Sequence, residues 1–120
     1  MATLQQLEES IRFLRKEVSE ELPIRYLGIL VYLCRKQEAG VSQIASDLDI
    51  ALGSISKAVK LLSEYADRTP DGKMELRGYR LLKTTQDPFE RRRVIVSVTE
   101  KGHEVVNRLL GILSDGKEAK

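Results

Sequence analysis

Apolar positions along this chain fall into runs of distinct period. Leu4, Leu7, Ile11, Leu14 and Val18 recur at spacings of three and four, with Glu8, Glu9, Arg15, Lys16 and Glu17 between them. One face of a helix meets every such position because 3.6 residues complete a turn, so the pattern predicts an amphipathic helix from about Thr3 to Glu20. Pro23 suits the first turn of a second helix. The stretch PIRYLGILVYLCRKQ is apolar on nearly every side, through Leu27, Ile29, Leu30, Val31, Leu33 and Cys34, as expected of a helix at the centre of a fold.

Gly40 closes that region, and Ser42 is placed to cap a short helix, Ser42 to Leu48, whose apolar side is Ile44, Ala45 and Leu48. Beyond the turn DIALG, the positions Leu52, Ile55, Val59 and Leu62 share one helical face and are expected in the core. That leaves Ser54, Ser56, Lys57 and Lys60 outside. A short helix, a tight turn and a second helix with hydroxyls and ammonium groups outward is the layout of a helix-turn-helix, and equally of a plain helical hairpin with a solvated face.

In YADRTPDGKMELRG the tetrad TPDG marks a turn and no helical period survives, so the segment reads as a loop with a short extended piece at Lys73 to Leu76. GYRLLKTT reads as a strand, QDPFE as a turn and RRRVIVSV as a second strand with Val94, Val96 and Val98 on one face, a β-hairpin. Strict alternation along that strand would put Arg91 and Arg93 on one side and Arg92 on the other, with Val94 and Val96. Thr99 is placed to cap a last helix carrying Val105, Val106, Leu109, Leu110 and Leu113. His103 is expected at its surface, and SDGKEAK forms a polar tail.

The expected fold is mostly α with a small β-hairpin: a winged helix-turn-helix with flanking N- and C-terminal helices. The whole chain, 1–120, forms one domain, with the helix-turn-helix at 42–64, the wing at 78–98, flanking helices at 1–22 and 99–113, and the tail at 114–120. A chain of 120 residues has room for one core and no second domain. With 42% hydrophobic and 32% charged residues it falls among globular chains and away from disordered ones. No apolar run approaches the ~20 residues of a membrane helix, and MATLQQLEES lacks the basic and apolar regions of a secretion signal. A cytoplasmic protein with no membrane partner is expected.

A single cysteine, Cys34, and a single histidine, His103, provide neither an internal disulfide nor the ligand set of a zinc site, so neither metal nor cofactor is expected. Cys34 reads as a small buried hydrophobe. No phosphate-binding glycine loop and no nucleophile beside the histidine is found, which argues against an enzyme.

Charge changes the picture by its placement. The formal net charge is only +2, but residues 1–22 carry three basic and five acidic side chains while residues 72–95 carry seven basic and three acidic. A localised polyanion contact accounts for that excess, as does a hairpin edge kept soluble by its arginines. The coincidence of a basic wing with a polar, cationic helix face favours duplex DNA. Arg91, Arg92 and Arg93 would meet phosphates or the minor groove, and Ser54, Ser56, Lys57 and Lys60 would meet base edges or phosphates, with Gly53 permitting close approach.

Asp87, Pro88, Glu90, Arg92, Val94, Val96, Val98, Thr99, Lys101 and Gly102 resemble the wing signature of the MarR (multiple antibiotic resistance regulator) family. VSQIASDLDIALGSISKAVKLL is similar to that family's helix-turn-helix, and the resemblance covers about residues 24 to 113. It implies a homodimer on a pseudo-palindromic DNA site, often a repressor, sometimes released by a small ligand. Three positions depart from the pattern: Ser63 to Arg77 is longer than the usual link, Glu90 replaces an aspartate, and Phe89 stands where many members carry arginine. The family's long C-terminal helical region is also missing after Leu113, which argues against a drug-like effector pocket. A dimer would then use the stripe Leu4, Leu7, Ile11, Leu14 and Val18, which serves equally as a core face, together with Val106, Leu109, Leu110 and Leu113. A winged helix that binds protein, or a weakly specific architectural DNA binder, remains the alternative.

Overall fold

The computed structural model describes residues 2–115. Five helices and five strands follow one another as α1 (Leu4–Glu17), α2 (Ile24–Lys36), β1 (Glu38–Gly40), α3 (Val41–Leu48), α4 (Leu52–Leu62), β2 (Tyr65–Arg68), β3 (Met74–Arg77), β4 (Leu82–Gln86), β5 (Val94–Val98) and α5 (Glu100–Asp115). Residues 116–120 of the expected tail lie outside the described residues.

Capping explains where α1 and α5 begin. Thr3 accepts from the Gln6 amide at 3.1 Å while the Gln6 side chain accepts from the Thr3 amide at 2.7 Å, a reciprocal capping box. Thr99 caps α5 as its sequence position indicated, accepting from the Gly102 amide at 3.0 Å and donating its hydroxyl proton to the Arg80 carbonyl at 2.7 Å. Gly102 has its own reason to be glycine: a Cβ there would lie 2.3 Å from the Leu81 carbonyl oxygen and 2.5 Å from Val98 Cγ1. The first turn of α5 thus seats directly on the base of the β4–β5 hairpin.

Ile29, Leu30 and Leu33 of α2 are fully buried at the centre, with Ile44, Ile55, Leu62, Leu81, Leu82 and Val96 around them. Val31 is exposed, and Leu27 and Cys34 are only half-buried, so α2 has one solvent-facing edge. Cys34 is therefore no fully buried hydrophobe. Its sulfur lies 3.9 Å from Nδ1 of the exposed His103, so a thiol does stand beside the histidine, contrary to the sequence expectation, but partial burial raises that thiol above its usual pKa, which disfavours the nucleophilic thiolate.

Strands β1, β5 and β4 form one antiparallel sheet in that order, with Gly40 opposite Ile95, Ala39 opposite Val96, Leu82 opposite Val98 and Gln86 opposite Val94. The three-residue β1 is absent from the sequence reading because it is too short to show a period. A correction concerns 63–77. The expected loop is a second antiparallel hairpin, β2 with β3, closed by the Thr69 amide on the Lys73 carbonyl at 2.8 Å and by Gly72 at φ +85°.

The flanking helices pack on each other within one chain. Phe13 and Leu14 of α1 join Val105, Val106, Leu109 and Ile112 of α5 in the core, and the Arg108 guanidinium lies 4.8 Å from the Phe13 ring and 3.6 Å from Glu17. Leu14, Val106 and Leu109, expected at a dimer seam, are thus committed to the chain's own interior, and Val18 and Leu113 are half-buried. The buried face of α1 is rotated from the predicted stripe, toward Ser10 and Phe13. Leu4, at 86% exposure, Leu7, Ile11 and Leu110 are left on the surface.

A side-chain bond joins α2 to α3: the Tyr32 hydroxyl donates to the Asp47 carboxylate at 2.5 Å. Burial, the acceptor bond and the carboxylate charge raise Tyr32 from 10.0 to about 12. The folded chain holds this proton more tightly than the unfolded one, so the contribution is complete below pH ~10 and is lost as pH rises toward 12. Tyr32→Phe is expected to cost about 1 kcal/mol at neutral pH. Urea unfolding between pH 9 and 12 checks it: the wild-type chain should lose stability relative to the variant over that range.

Candidate nucleic-acid interface

The turn between α3 and α4 is set by Asp49, which takes the left-handed conformation at φ +54°, tolerable for aspartate where most side chains clash. The Ile50 amide then bonds the Ala45 carbonyl at 3.0 Å and the chain re-enters helix at Leu52. Ile55, Ala58, Val59 and Leu62 anchor α4 in the core, while Gly53, Ser54, Ser56, Lys57 and Lys60 are exposed. Leu52 departs from its predicted core position. It shares the helical face of Ile55 but is 52% exposed, because the first turn of α4 projects past the core.

The wing tip is organised by Asp87, only 8% exposed among otherwise solvated neighbours. Its carboxylate accepts from the amides of Phe89 at 2.8 Å and Glu90 at 3.4 Å. It also lies 3.6 Å from the Arg93 guanidinium. The Asp87 amide donates to the Arg93 carbonyl at 2.9 Å, the Arg93 amide to the Glu90 carbonyl at 3.0 Å, and the Gln86 side-chain amide to the Arg91 carbonyl at 2.5 Å. Arg91, Arg92 and Arg93 thus stand in a hydrogen-bonded turn, and β5 begins only at Val94. The strand alternation expected for the three arginines does not apply to them.

Helix and wing meet across one open groove of ≈ 580 Å³, lined by Val41, Ser42, Leu52, Ser56, Glu90, Arg92, Arg93 and Val94. Of the predicted DNA-contacting residues, Ser56, Arg92 and Arg93 are brought together there. Ser54, Lys57 and Arg91 are exposed on the same elements but outside its lining. Arg93 is partly engaged within the chain, since its Nε lies 3.0 Å from where a Gly40 Cβ would stand and its charge faces Asp87. Lys60 turns the other way: its ammonium sits 5.0 Å from the centroid of the Tyr65 ring on β2, within cation–π range.

Tyr65 marks the inner end of the second hairpin. Cross-strand pairing puts Tyr65 with Arg77 and Asp67 with Glu75 on one face, where the Arg77 guanidinium pairs with Glu75 at 3.3 Å and Asp67 at 3.7 Å. Ala66, Arg68, Met74 and Leu76 take the other face and are all exposed.

Chemically the groove is suited to a polyanion. Guanidinium groups match phosphate oxygens or enter a narrow groove, and a serine hydroxyl both donates and accepts. Neither α3 nor α4 has a side-chain hydrogen bond at its N-cap, Gly40 and Ala51, so the first-turn amides beside the groove remain available as donors. Among the described residues no group of three or more His, Cys, Asp and Glu side chains is arranged to hold a metal ion. No described helix is long and apolar enough to cross a membrane.

Neither a protein-family model nor a curated protein sequence matches the chain. Solved structures do. A MarR variant from E. coli, complexed with operator DNA, superposes with a TM-score of 0.61 at 13% identity, over 92% of this chain and 70% of its own. A ZitR variant from Lactococcus lactis gives 0.57 at 24% identity, over 76% of this chain and 52% of its own, so the present chain spans about half the length of that protein. A transcriptional regulator homologue from Pyrococcus horikoshii gives 0.58 at 24% identity, over 90% of this chain and 89% of its own. The chain has a MarR-like winged-helix fold.

Proposed function

We propose that the protein is a transcription regulator that binds double-stranded DNA in a sequence-dependent manner, as a homodimer on a pseudo-palindromic operator, acting as a repressor in the cytoplasm. The observation that carries the reading is the convergence of Ser56 on α4 with Arg92 and Arg93 of the wing around one groove. The E. coli MarR structure, of like fold, is complexed with operator DNA. In this reading α4 enters the major groove and the wing lies along the adjacent backbone and minor groove. The exposed stripe of Leu4, Leu7, Ile11 and Leu110 supports self-association, which would set two α4 helices about 34 Å apart, one turn of DNA.

Salt provides the direct test. Each neutralised phosphate releases counterions, so affinity for a selected duplex should fall steeply as salt rises from 50 to 200 mM. Arg92→Ala should weaken all duplexes alike by about 1–3 kcal/mol, whereas Lys57→Ala and Ser56→Ala should lower discrimination between sequences by a similar amount. Gel-shift titrations on selected and scrambled duplexes separate the two effects. Salt-independent binding would move the assignment to a protein-binding winged helix, a reading favoured by the exposed Met74 and Leu76 of the second hairpin.

A further inference from the structure

At 95% exposure, Phe89 is the most solvent-accessible large apolar residue described, and it stands at the tip of the wing. An aromatic ring this exposed has been held away from the core by its backbone. Asp87 accepts from the Phe89 amide at 2.8 Å, Pro88 precedes it with a fixed φ, and the turn is closed on its far side by the Arg93 amide on the Glu90 carbonyl at 3.0 Å. The loop cannot fold the ring inward without breaking those bonds. The backbone that carries the ring is therefore already ordered, so binding through it need not order the loop.

Its neighbours narrow the partner. Arg91 and Arg92 are exposed two and three residues on, in the same turn. Guanidinium groups are drawn to the negative potential of a minor groove, and an apolar ring carried in with them has one apolar surface to meet there, the faces of the stacked bases. We propose that Phe89 is a wedge that enters the minor groove beside the α4 site and partly unstacks one base step. This rests on the reading that the wing contacts duplex DNA, and adds a specificity determinant to it. Pyrimidine–purine steps unstack most easily, so the wing selects a TA or CA/TG step through the energy of deforming it, without a hydrogen bond to either base.

The test uses the full chain and a duplex of about 30 base pairs selected by the wild-type protein from a random pool, with each adenine replaced in turn by fluorescent 2-aminopurine. The wild-type complex should brighten one or two positions several-fold, at pyrimidine–purine steps where the wing lies. Phe89→Ala should abolish that signal and bind about tenfold more weakly. Phe89→Trp should keep the signal, and Phe89→Arg should keep affinity without it. Thermal melts should leave Phe89→Ala at wild-type stability, since the ring touches no core. A wild-type complex that forms but brightens no position, or a signal that survives in Phe89→Ala, overturns the wedge and leaves DNA binding standing. A wild-type protein that binds no duplex overturns both.

Discussion

Replacing Gly78 by alanine should unfold the protein or cost it at least about 3 kcal/mol, the largest stability effect expected of any single methyl group in this chain. Gly78 has φ +106°, and a Cβ there would lie 1.8 Å from the Ser63 carbonyl oxygen and 2.9 Å from its carbonyl carbon. Both atoms are backbone, so neither can swing aside. The residue sits where the second hairpin returns to the end of α4: just beyond it the Tyr79 amide bonds the Leu61 carbonyl at 3.0 Å and the Leu81 amide bonds the Leu62 carbonyl at 2.8 Å. A shift that relieved the clash would strain those bonds and lift β4 from the core. Gly72 is the control. It too has positive φ, +85°, but nothing lies within 4 Å of its would-be Cβ, so Gly72→Ala should cost only about 1 kcal/mol of conformational strain. Urea midpoints for the two variants measure the difference; equal losses would mean that the crossing at Ser63 is not tight.

Ile11→Asp should leave the monomer folded and abolish the proposed homodimer. Ile11 is 52% exposed on the outer face of α1, so a carboxylate there costs the isolated chain little. At a seam between two copies the same carboxylate is desolvated, at a cost of several kcal/mol. Losing the second half-site contact should lower affinity for a two-half-site duplex by about 10²–10⁴, while affinity for a single half-site stays unchanged. Sedimentation together with paired gel shifts reads both quantities. Wild-type sedimentation by Ile11→Asp would place the interface elsewhere. Leu109→Asp is no substitute for this test: Leu109 is buried in the chain's own core, and the variant would report unfolding.

The helices were legible because each buries a periodic face; the wing was legible because its turn and valines are local signals. Thr99 at the start of α5 and Val96 and Val98 in the core stand where the sequence put them. Period alone fails where burial depends on what lies above a residue. Leu52 keeps the spacing of its helix but projects beyond the core. Leu14, Val106 and Leu109 fit an intermolecular seam and an intramolecular one equally well, and which of the two covers them is a tertiary fact. The arginines read as strand because no turn residue separates them from VIVSV, yet the buried carboxylate of Asp87 holds that end of the segment in a turn. In 63–77 the TPDG turn was visible, but YADR and MELR bury no face, so no hydrophobic alternation against a core betrayed the strands. Lys60 was assigned to DNA by its exposed position; its approach to Tyr65 required knowing that the second hairpin folds back beside α4.

The short strand β1 ties the connector between α2 and α3 to β5, from Glu38 opposite Ser97 to Gly40 opposite Ile95. That ladder joins α3, the helix that carries α4 beside it, to the arm that would grip the backbone, so helix-turn-helix and wing would travel together as one jaw. In the proposed homodimer an effector would then have more leverage on the spacing between two such jaws than on the shape of either.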